Sequence, residues 1–158
     1  MSEPLILTLK KKIEELENKS AITVYSNTEQ SFASNTETVV KLTNTLNKKG
    51  NDFELQNNEL ICKKAGYIAI NFKILLASGF GDKDNIVTRL YKNNTEQFRS
   101  QYRAIGTAMQ SFTSETRILE VAANDKINLK IIDYIDNKTI KIGNYASGTS
   151  NSINAFYL

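Results

Sequence analysis

The side chains that could perform catalysis are few in this sequence. It contains no histidine, which excludes Ser-His-Asp and Cys-His nucleophilic catalysis and most zinc sites. Its only cysteine, Cys62, follows Leu60 and Ile61, and a lone thiol in such an apolar strand is usually buried and inert. We therefore expect a protein that is not an enzyme and that uses neither a metal nor a cofactor.

Pairs of carboxylates are the remaining route to catalysis. Glycoside hydrolysis needs only two of them, and Asp133 with Asp136, or Glu115 with Glu120, could supply the pair. Acidic side chains on strands and turns are far more commonly solvated surface groups. A carbohydrate-binding or glycoside-cleaving module therefore stands as the alternative interpretation.

Two loops begin like ligand-binding motifs without completing them. Segment 82–85 starts like a calcium-binding loop, but Ile86 and Asn93 occupy its fifth and twelfth positions, where oxygen ligands are required. Segment 79–81 lacks the glycine and lysine that complete a phosphate-binding loop. Both segments are better interpreted as connections between strands.

Charge and hydropathy argue against two further classes of partner. The net charge is only +3, and the lysines at 10–12 are followed by Glu14, Glu15 and Glu17, as on a solvated helix face rather than a nucleic-acid-binding stripe. No segment approaches the roughly 18 apolar residues of a membrane-spanning helix. The N-terminal apolar run is also too short for a signal peptide. We expect synthesis in the cytoplasm, without nucleic-acid binding or membrane insertion.

A helical pattern is confined to the N-terminal region, which we predict as a separate stub over residues 1–20. Its apolar side chains recur at intervals of three, four and three residues, the spacing of a coiled-coil stripe (Ile6, Leu9, Ile13 and Leu16). Two heptads are too few for a stable isolated helix. The stripe must therefore pack on its own copies or on a larger partner, and its spacing alone does not specify a trimer.

Short strand-like segments occupy residues 21–158, which we predict as one all-β head domain. Clusters of Asn, Gly and Asp separate them, and there is no alternation with helices, so an antiparallel sandwich or jelly roll is expected. The predicted strands are 21–25, 38–46, 53–55, 59–62, 67–77, 86–92, a stretch within 102–121, 126–135, 139–142 and 152–158.

The strand that begins at Tyr67 has two different faces. One face is aliphatic and aromatic throughout and is predicted to lie in the core (Ile68, Ile70, Phe72 and Ile74). The other combines an aromatic, a small residue and an amide before a lysine (Tyr67, Ala69, Asn71 and Lys73). That combination suits either a partly buried subunit interface or a solvated face with one exposed tyrosine.

Four segments, in order along residues 38–158, resemble the globular heads of the tumour-necrosis-factor-like and complement-type families. They are 65–72 (AGYIAINF), 87–94 (VTRLYKNN), 119–129 (LEVAANDKINL) and 152–158 (SINAFYL). Ile68 stands where the family usually has tyrosine, and Asn94 and Asn124 stand where turn glycines are expected. Asparagine tolerates the left-handed backbone conformation, so both turns remain compatible with the family pattern.

The resemblance implies a jelly roll that assembles as a homotrimer around a three-fold axis. It also implies that Tyr67, Ala69, Asn71 and Tyr157 face that axis. Heads of this kind that are rich in Lys, Asn and Ile and follow a short helical stub resemble structural proteins of tailed bacteriophages. A place on the virion surface would follow, as a head fibre, a capsid decoration or a receptor-binding tail-fibre tip. The stub would then dock onto a capsid, collar or baseplate protein, and a host cell-surface glycan is a candidate ligand.

Recognition is predicted at loops and at one aromatic–arginine cluster. The loops 79–85 and 143–151 carry Phe80 and Tyr145, which we expect to be exposed. The cluster follows the turn at 93–94 and has the residue types enriched at binding hot spots (Phe98, Arg99, Tyr102 and Arg103). The alternative is that these aromatic side chains pack at the ends of the sheets.

Overall fold

The computed structural model describes residues 3–17, 19–108, 110–135, 137–143 and 151–158. Within them, one N-terminal helix precedes fourteen strands. The elements are α1 (Glu3–Glu17), β1 (Ala21–Ser26), β2 (Gln30–Ala33), β3 (Thr38–Val39), β4 (Asn44–Lys49), β5 (Phe53–Gln56), β6 (Glu59–Cys62), β7 (Gly66–Ser78), β8 (Asn85–Lys92), β9 (Thr95–Arg103), β10 (Gln110–Thr113), β11 (Arg117–Val121), β12 (Asp125–Asp133), β13 (Thr139–Ile142) and β14 (Asn151–Tyr157).

The strands form two antiparallel sheets. Sheet 1 has the order β2-β13-β7-β14-β1-β4, with β10 and β11 also pairing with β7. Sheet 2 has the order β5-β6-β12-β8-β9, with β3 also pairing with β12. The predicted all-β antiparallel sandwich with a short N-terminal helix is confirmed, whereas the domain division at residue 20 stays a prediction.

The strand boundaries differ from the sequence prediction in four places. Residues 95–101 of β9 lie outside every predicted strand. Strand β2 was missed because Phe32 is its only large apolar residue. The stretch 102–121 contains the end of β9 and then β10 and β11, instead of one long strand. The stretch 38–46 crosses between the sheets, with β3 in sheet 2 and β4 in sheet 1. Val40 and Leu42 are buried where the chain passes through the core.

The core lies between the sheets and follows the alternation of the strands. Strand β7 contributes five fully buried side chains, the four predicted ones and one more (Ile68, Ile70, Phe72, Ile74 and Leu76). They pack in one cluster with side chains from both sheets, including Leu90 and Leu129 of sheet 2. Burial of an aliphatic or phenyl side chain stabilises the fold by about 1.5–3 kcal/mol.

Asparagine takes the place of glycine at the two turns of the family pattern. Asn93, Asn94 and Asn124 have φ values of 49°, 65° and 71°, so the expected left-handed conformation is confirmed. Asn93 also donates its amide to Asp125 Oδ1 at 2.6 Å and accepts from the Lys126 N–H at 2.9 Å. Asn93 precedes the first of the two positions where the family pattern has glycine, and its two hydrogen bonds hold this turn against β12.

Helix α1 ends close to its predicted boundary and leaves its apolar side chains in solvent. Ile6, Leu9 and Ile13 of the stripe are exposed, as are Leu5 and Leu7. The side chain of Leu16, the fourth residue of the stripe, lies outside the described part of the structure. In this single chain the stripe therefore has the uncovered surface that a helical partner would bury.

Candidate functional site

The outer face of sheet 1 carries a group of exposed apolar side chains. Strands β1, β14, β7 and β11 lie side by side, and their register places Ala21, Phe156, Ala69 and Ile118 in one row. Phe156 is 46% exposed and Ile118 is 65% exposed. Ala69 is buried because these two larger side chains lie directly beside it. Tyr67, 56% exposed, and Leu158 extend the group, and we call Tyr67, Ile118, Phe156 and Leu158 the apolar face.

A row of hydrogen-bonded polar side chains borders the apolar face. Thr23 Oγ1 donates to Asn154 Oδ1 at 2.9 Å, and Asn154 Nδ2 donates to Asn71 Oδ1 at 2.8 Å. Asn71 Nδ2 then lies 3.2 Å from Thr116 Oγ1, its acceptor. These residues form a continuous row across β1, β14 and β7 to the residue that precedes β11, and we call it the polar ladder.

The predicted interface residues fall into two groups. Tyr67, Ala69 and Asn71 share the outer face of sheet 1, although Ala69 is covered, and their role in an interface stays a prediction. The expectation that Tyr157 faces outward is wrong. Tyr157 is 6% exposed, its ring lies 4.8 Å from that of Phe53, and its hydroxyl donates to the Lys64 carbonyl at 2.5 Å.

Phe156 is the residue of the last strand that the sequence reasoning missed. Ile153 and Ala155 are buried in β14, and Tyr157 continues their alternation, which places Phe156 on the opposite face. In the sequence, counting every second residue from the apolar Ile153 predicts that Ala155 and Tyr157 are buried and that Phe156 points outward.

The outer face of sheet 2 has the opposite chemistry, because its charged side chains are paired with one another. Arg89 bonds Glu37 at 2.6 Å and the Tyr134 hydroxyl at 2.5 Å, and lies 3.5 Å from Glu96. Lys130 Nζ lies 3.4 Å from Glu37 and 4.1 Å from the Tyr91 ring centroid. We call Glu37, Arg89, Tyr91, Glu96 and Lys130 the charged face.

Hydrogen bonding fixes the charge state of this network. Burial alone would raise the pKa of Glu37, but hydrogen bonds from Arg89, Tyr91 and Lys130 hold it below its usual value. The bond to Glu37 raises the pKa of Arg89 further above its already high value. The charged face is therefore internally neutralised and has little need of an external partner.

The predicted recognition residues are distributed unevenly. Phe98, Arg99 and Tyr102 line a cleft of about 340 Å³ between β9 and the β10–β11 edge. Phe98 stacks on Phe72 and Tyr102 on Phe112, with ring centroids 5.8 and 4.8 Å apart, so both aromatics also support the core. Their hot-spot role stays a prediction.

The other three residues of the recognition prediction are Phe80, Arg103 and Tyr145. The expectation that Phe80 is exposed is wrong, since it is 4% exposed and belongs to the core cluster. The loop folds over it because Asp84 Oδ2 accepts from the Gly81 N–H at 2.6 Å and the Asp84 N–H donates to the Gly81 carbonyl at 2.9 Å. Arg103 is exposed on β9, and Tyr145 lies outside the described residues.

The carboxylates considered for glycoside cleavage lie in different surroundings. Asp136 lies outside the described residues, whereas Asp133 is fully buried beside Asp84, which pairs with Lys138. Burial and the Asp84 charge raise the pKa of Asp133 above its usual value. Glu115 is exposed and bonds Arg117 at 2.8 Å.

Metal-binding and nucleophilic groups are equally scarce. Within the described ranges, no group of three or more His, Cys, Asp or Glu side chains is placed to hold a metal ion. The expected burial of Cys62 is confirmed, and that burial raises the pKa of its thiol to about 12. Among the helical residues that the structure describes, none form a helix long and apolar enough to cross a membrane.

Comparison with known proteins identifies the fold. No protein-family model matches the chain, and no curated protein matches its sequence. The structure is similar to that of murine APRIL, with a TM-score of 0.67, 15% identity, and coverage of 89% of this chain and 99% of that one. It is also similar to Eiger TNF from S. frugiperda, with a TM-score of 0.66, 11% identity, and coverage of 89% and 93%. The element order, the two-sheet packing and these matches show that the chain has the TNF-like jelly-roll fold.

Proposed function

We propose that this chain is a non-enzymatic homotrimeric module that acts through the surface it presents. The apolar face is the observation that carries the proposal. Monomeric proteins rarely leave large contiguous apolar patches in water, and such patches mark interaction sites. Proteins with TNF-like folds usually form homotrimers, which makes two further copies of this chain the first candidates to cover the face.

The charge distribution supports the choice of face. The apolar face offers aromatic and aliphatic area, and the exposed Glu120, which lies opposite Tyr67 in the β7–β11 register, is at its edge, as charged side chains are at the rim of an interface. A contact at the charged face would remove water from charged side chains that already have opposite charges beside them in the same chain. Sheet 1 is therefore the side that associates, and sheet 2 is the side that remains in solvent.

The helical stub supports a second, separate contact. Its exposed stripe is two heptads long, too short to hold three chains together alone. A trimer of heads would bring three stubs close together, which raises their effective concentration for packing on one another or on a common partner. We assign the stub to attachment and the head to assembly.

Within this function, our finer proposal is a virion structural protein of a tailed bacteriophage. The Lys-, Asn- and Ile-rich head behind a short helical stub supports it. The protein would occupy the virion surface, with the stub on a capsid, collar or baseplate protein. A head fibre or decoration is expected in stoichiometric copies on purified particles, whereas a receptor-binding tip is expected to bind host cells as free protein. Absence from particles and from cell surfaces would contradict the virion role while leaving the trimer intact.

The trimer itself is tested by light scattering coupled to size exclusion. We expect three times the chain mass of 17.8 kDa at micromolar concentration. A mass of one chain across that range would contradict the assembly and the function built on it.

The cleft beside β9 favours one alternative, a carbohydrate-binding or glycoside-cleaving module. Its lining combines Phe98, Tyr102 and Phe112 with Arg99 and Arg117, and aromatic faces with hydrogen-bonding arginines suit a sugar ring. A glycan array with a reducing-sugar assay tests both activities. If the parent binds a glycan and the Tyr102→Ala variant does not, this alternative is favoured. If the parent neither binds a glycan nor releases reducing sugar, the alternative is contradicted.

A further inference from the structure

The polar ladder lies directly beside the exposed apolar side chains of the outer face of sheet 1. Asn71 and Asn154 lie in the middle strands of sheet 1 and are only partly exposed, immediately beside the row that contains Phe156 and Ile118. Larger apolar side chains there would bury more area. We propose that the polar ladder sets the register and the number of copies in the homotrimer, an inference that rests on the assembly proposed above.

The argument begins with the hydrogen-bonding capacity of the two amides. An Asn side chain offers two N–H donors and two acceptor lone pairs. Asn154 uses one lone pair for Thr23 and one N–H for Asn71, and Asn71 uses one of each towards Asn154 and Thr116. Among the described residues, each amide therefore keeps one donor and one acceptor without a partner. Water satisfies them in a single chain, but a dry interface must supply partners.

Copies of the same ladder can supply those partners. A cyclic trimer uses heterologous contacts, in which a donor on one copy meets an acceptor on the next. Every copy presents the same free donor and acceptor, so three ladders can satisfy one another around the axis. A shifted register would instead place an amide against Phe156 or Ile118 of the neighbouring copy and leave it unpaired, which is unfavourable.

The apolar face alone cannot make this selection. Apolar side chains of suitable size pack in many arrangements, whereas one buried amide can fix register and copy number, as it does in coiled coils. Lys73 follows Asn71 on the same face of β7 and forms no ion pair within the described part of the chain. An unpaired lysine needs water, so the water-free part of the proposed contact ends before Lys73. The ladder thus lies on the boundary between an apolar half and a solvated half of the face.

The test replaces both amides with apolar side chains of similar size. Native mass spectrometry of the full chain is expected to give one trimer for the parent and a mixture of dimers, trimers and larger species for the Asn71→Leu/Asn154→Leu double variant. The matched control is Asn128→Leu, which removes a partly paired amide from the outer face of sheet 2 and is expected to remain a uniform trimer. A uniform trimer from the double variant would overturn the role of the ladder and leave the trimer standing. A parent that is not a trimer would overturn both.

A second variant decides the question if the double variant does not fold. Thr116→Val removes only the last acceptor of the ladder, at an exposed position. We expect the trimer to dissociate at concentrations about threefold to tenfold higher than the parent, because one hydrogen bond is lost in each copy and the Asn71 N–H is then unpaired in the contact. Dissociation at the parent's concentration would overturn the proposal.

Discussion

The two outer faces of the sandwich are built on the same alternation but carry opposite chemistry. On sheet 1, Tyr67, Phe156 and Ile118 stand exposed beside a neutral polar row. On sheet 2, Arg89 and Glu37 anchor a network in which each charge has an opposite charge nearby. A β-sandwich needs only one face of each sheet for its core, so the outer faces are free to diverge. In the proposed trimer, this divergence assigns the contact between copies to sheet 1.

Placing a charge on each face should give the largest difference between them. Ile118→Glu is expected to convert the trimer to folded monomers, because three carboxylates would meet in a dry contact. Ile118 suits this test better than Ala69, since it is exposed in the single chain and a glutamate there does not disturb the fold. Val39→Glu, on the exposed side of β3 in sheet 2, should keep the trimer mass. Equal behaviour of the two variants in light scattering would contradict the assignment of the faces.

Neighbouring residues of β14 should separate folding from assembly. Tyr157→Ala is expected to reduce the free energy of unfolding by about 3–5 kcal/mol, because it empties a buried aromatic site. Phe156→Ala should leave unfolding of the dissociated chain within about 0.5 kcal/mol of the parent and weaken the trimer. Denaturant titration at low protein concentration measures the first quantity, and the concentration dependence of the mass measures the second. A large loss of chain stability in Phe156→Ala would show that it belongs to the core.

The buried carboxyl of Asp133 should make stability depend on pH in the opposite direction to Glu37, whose lowered pKa contributes stability that is lost as the pH falls. The pKa of Asp133 in the folded chain is raised by burial and by Asp84, so its contribution is most favourable below its unfolded pKa. That contribution is lost as the pH rises through the folded pKa. Asp133→Asn is therefore expected to raise the melting temperature at neutral pH and to lose this advantage under acidic conditions. Glu115→Gln, an exposed control, should show neither effect.

Deletion of residues 1–19 should have the smallest effect on the fold. The head buries its own core, and the described apolar side chains of α1 are exposed, so thermal unfolding is expected to stay within about 2 °C of the parent, as for a surface change. Under the proposed virion role, the deletion should abolish incorporation of the protein into virions. A truncated chain that cannot fold would show that the stub is part of the head.

The features that the sequence predicted correctly depend on residues that are close together in the chain. The buried and outward faces of the strand from Tyr67, the helix and the left-handed turns at Asn94 and Asn124 all depend on neighbouring residues, and the structure confirms them. The family resemblance placed Tyr157 on the outer face, whereas the alternation of β14 from Ile153 places it on the buried face.

Other features depend on contacts that local patterns do not contain. Glu37 and Arg89 are 52 residues apart in the chain, and nothing near either residue identifies the other as its partner. Phe80 is buried by a hydrogen-bonded turn in a segment whose two glycines had indicated an open loop. The polar ladder joins four separate parts of the sequence, so only the strand order reveals it.

Radical footprinting of two tyrosines tests the central claim most directly. Tyr67 and Tyr134 are similarly exposed in the single chain, at 56% and 47%, but lie on the outer sides of sheet 1 and sheet 2. In the assembled protein, we expect modification of Tyr67 to fall several-fold below that in diluted, dissociated chains, while modification of Tyr134 stays the same, because an interface core excludes solvent. Equal labelling of both tyrosines in the assembled protein, or protection of Tyr134 alone, would contradict the claim that sheet 1 is the assembly face.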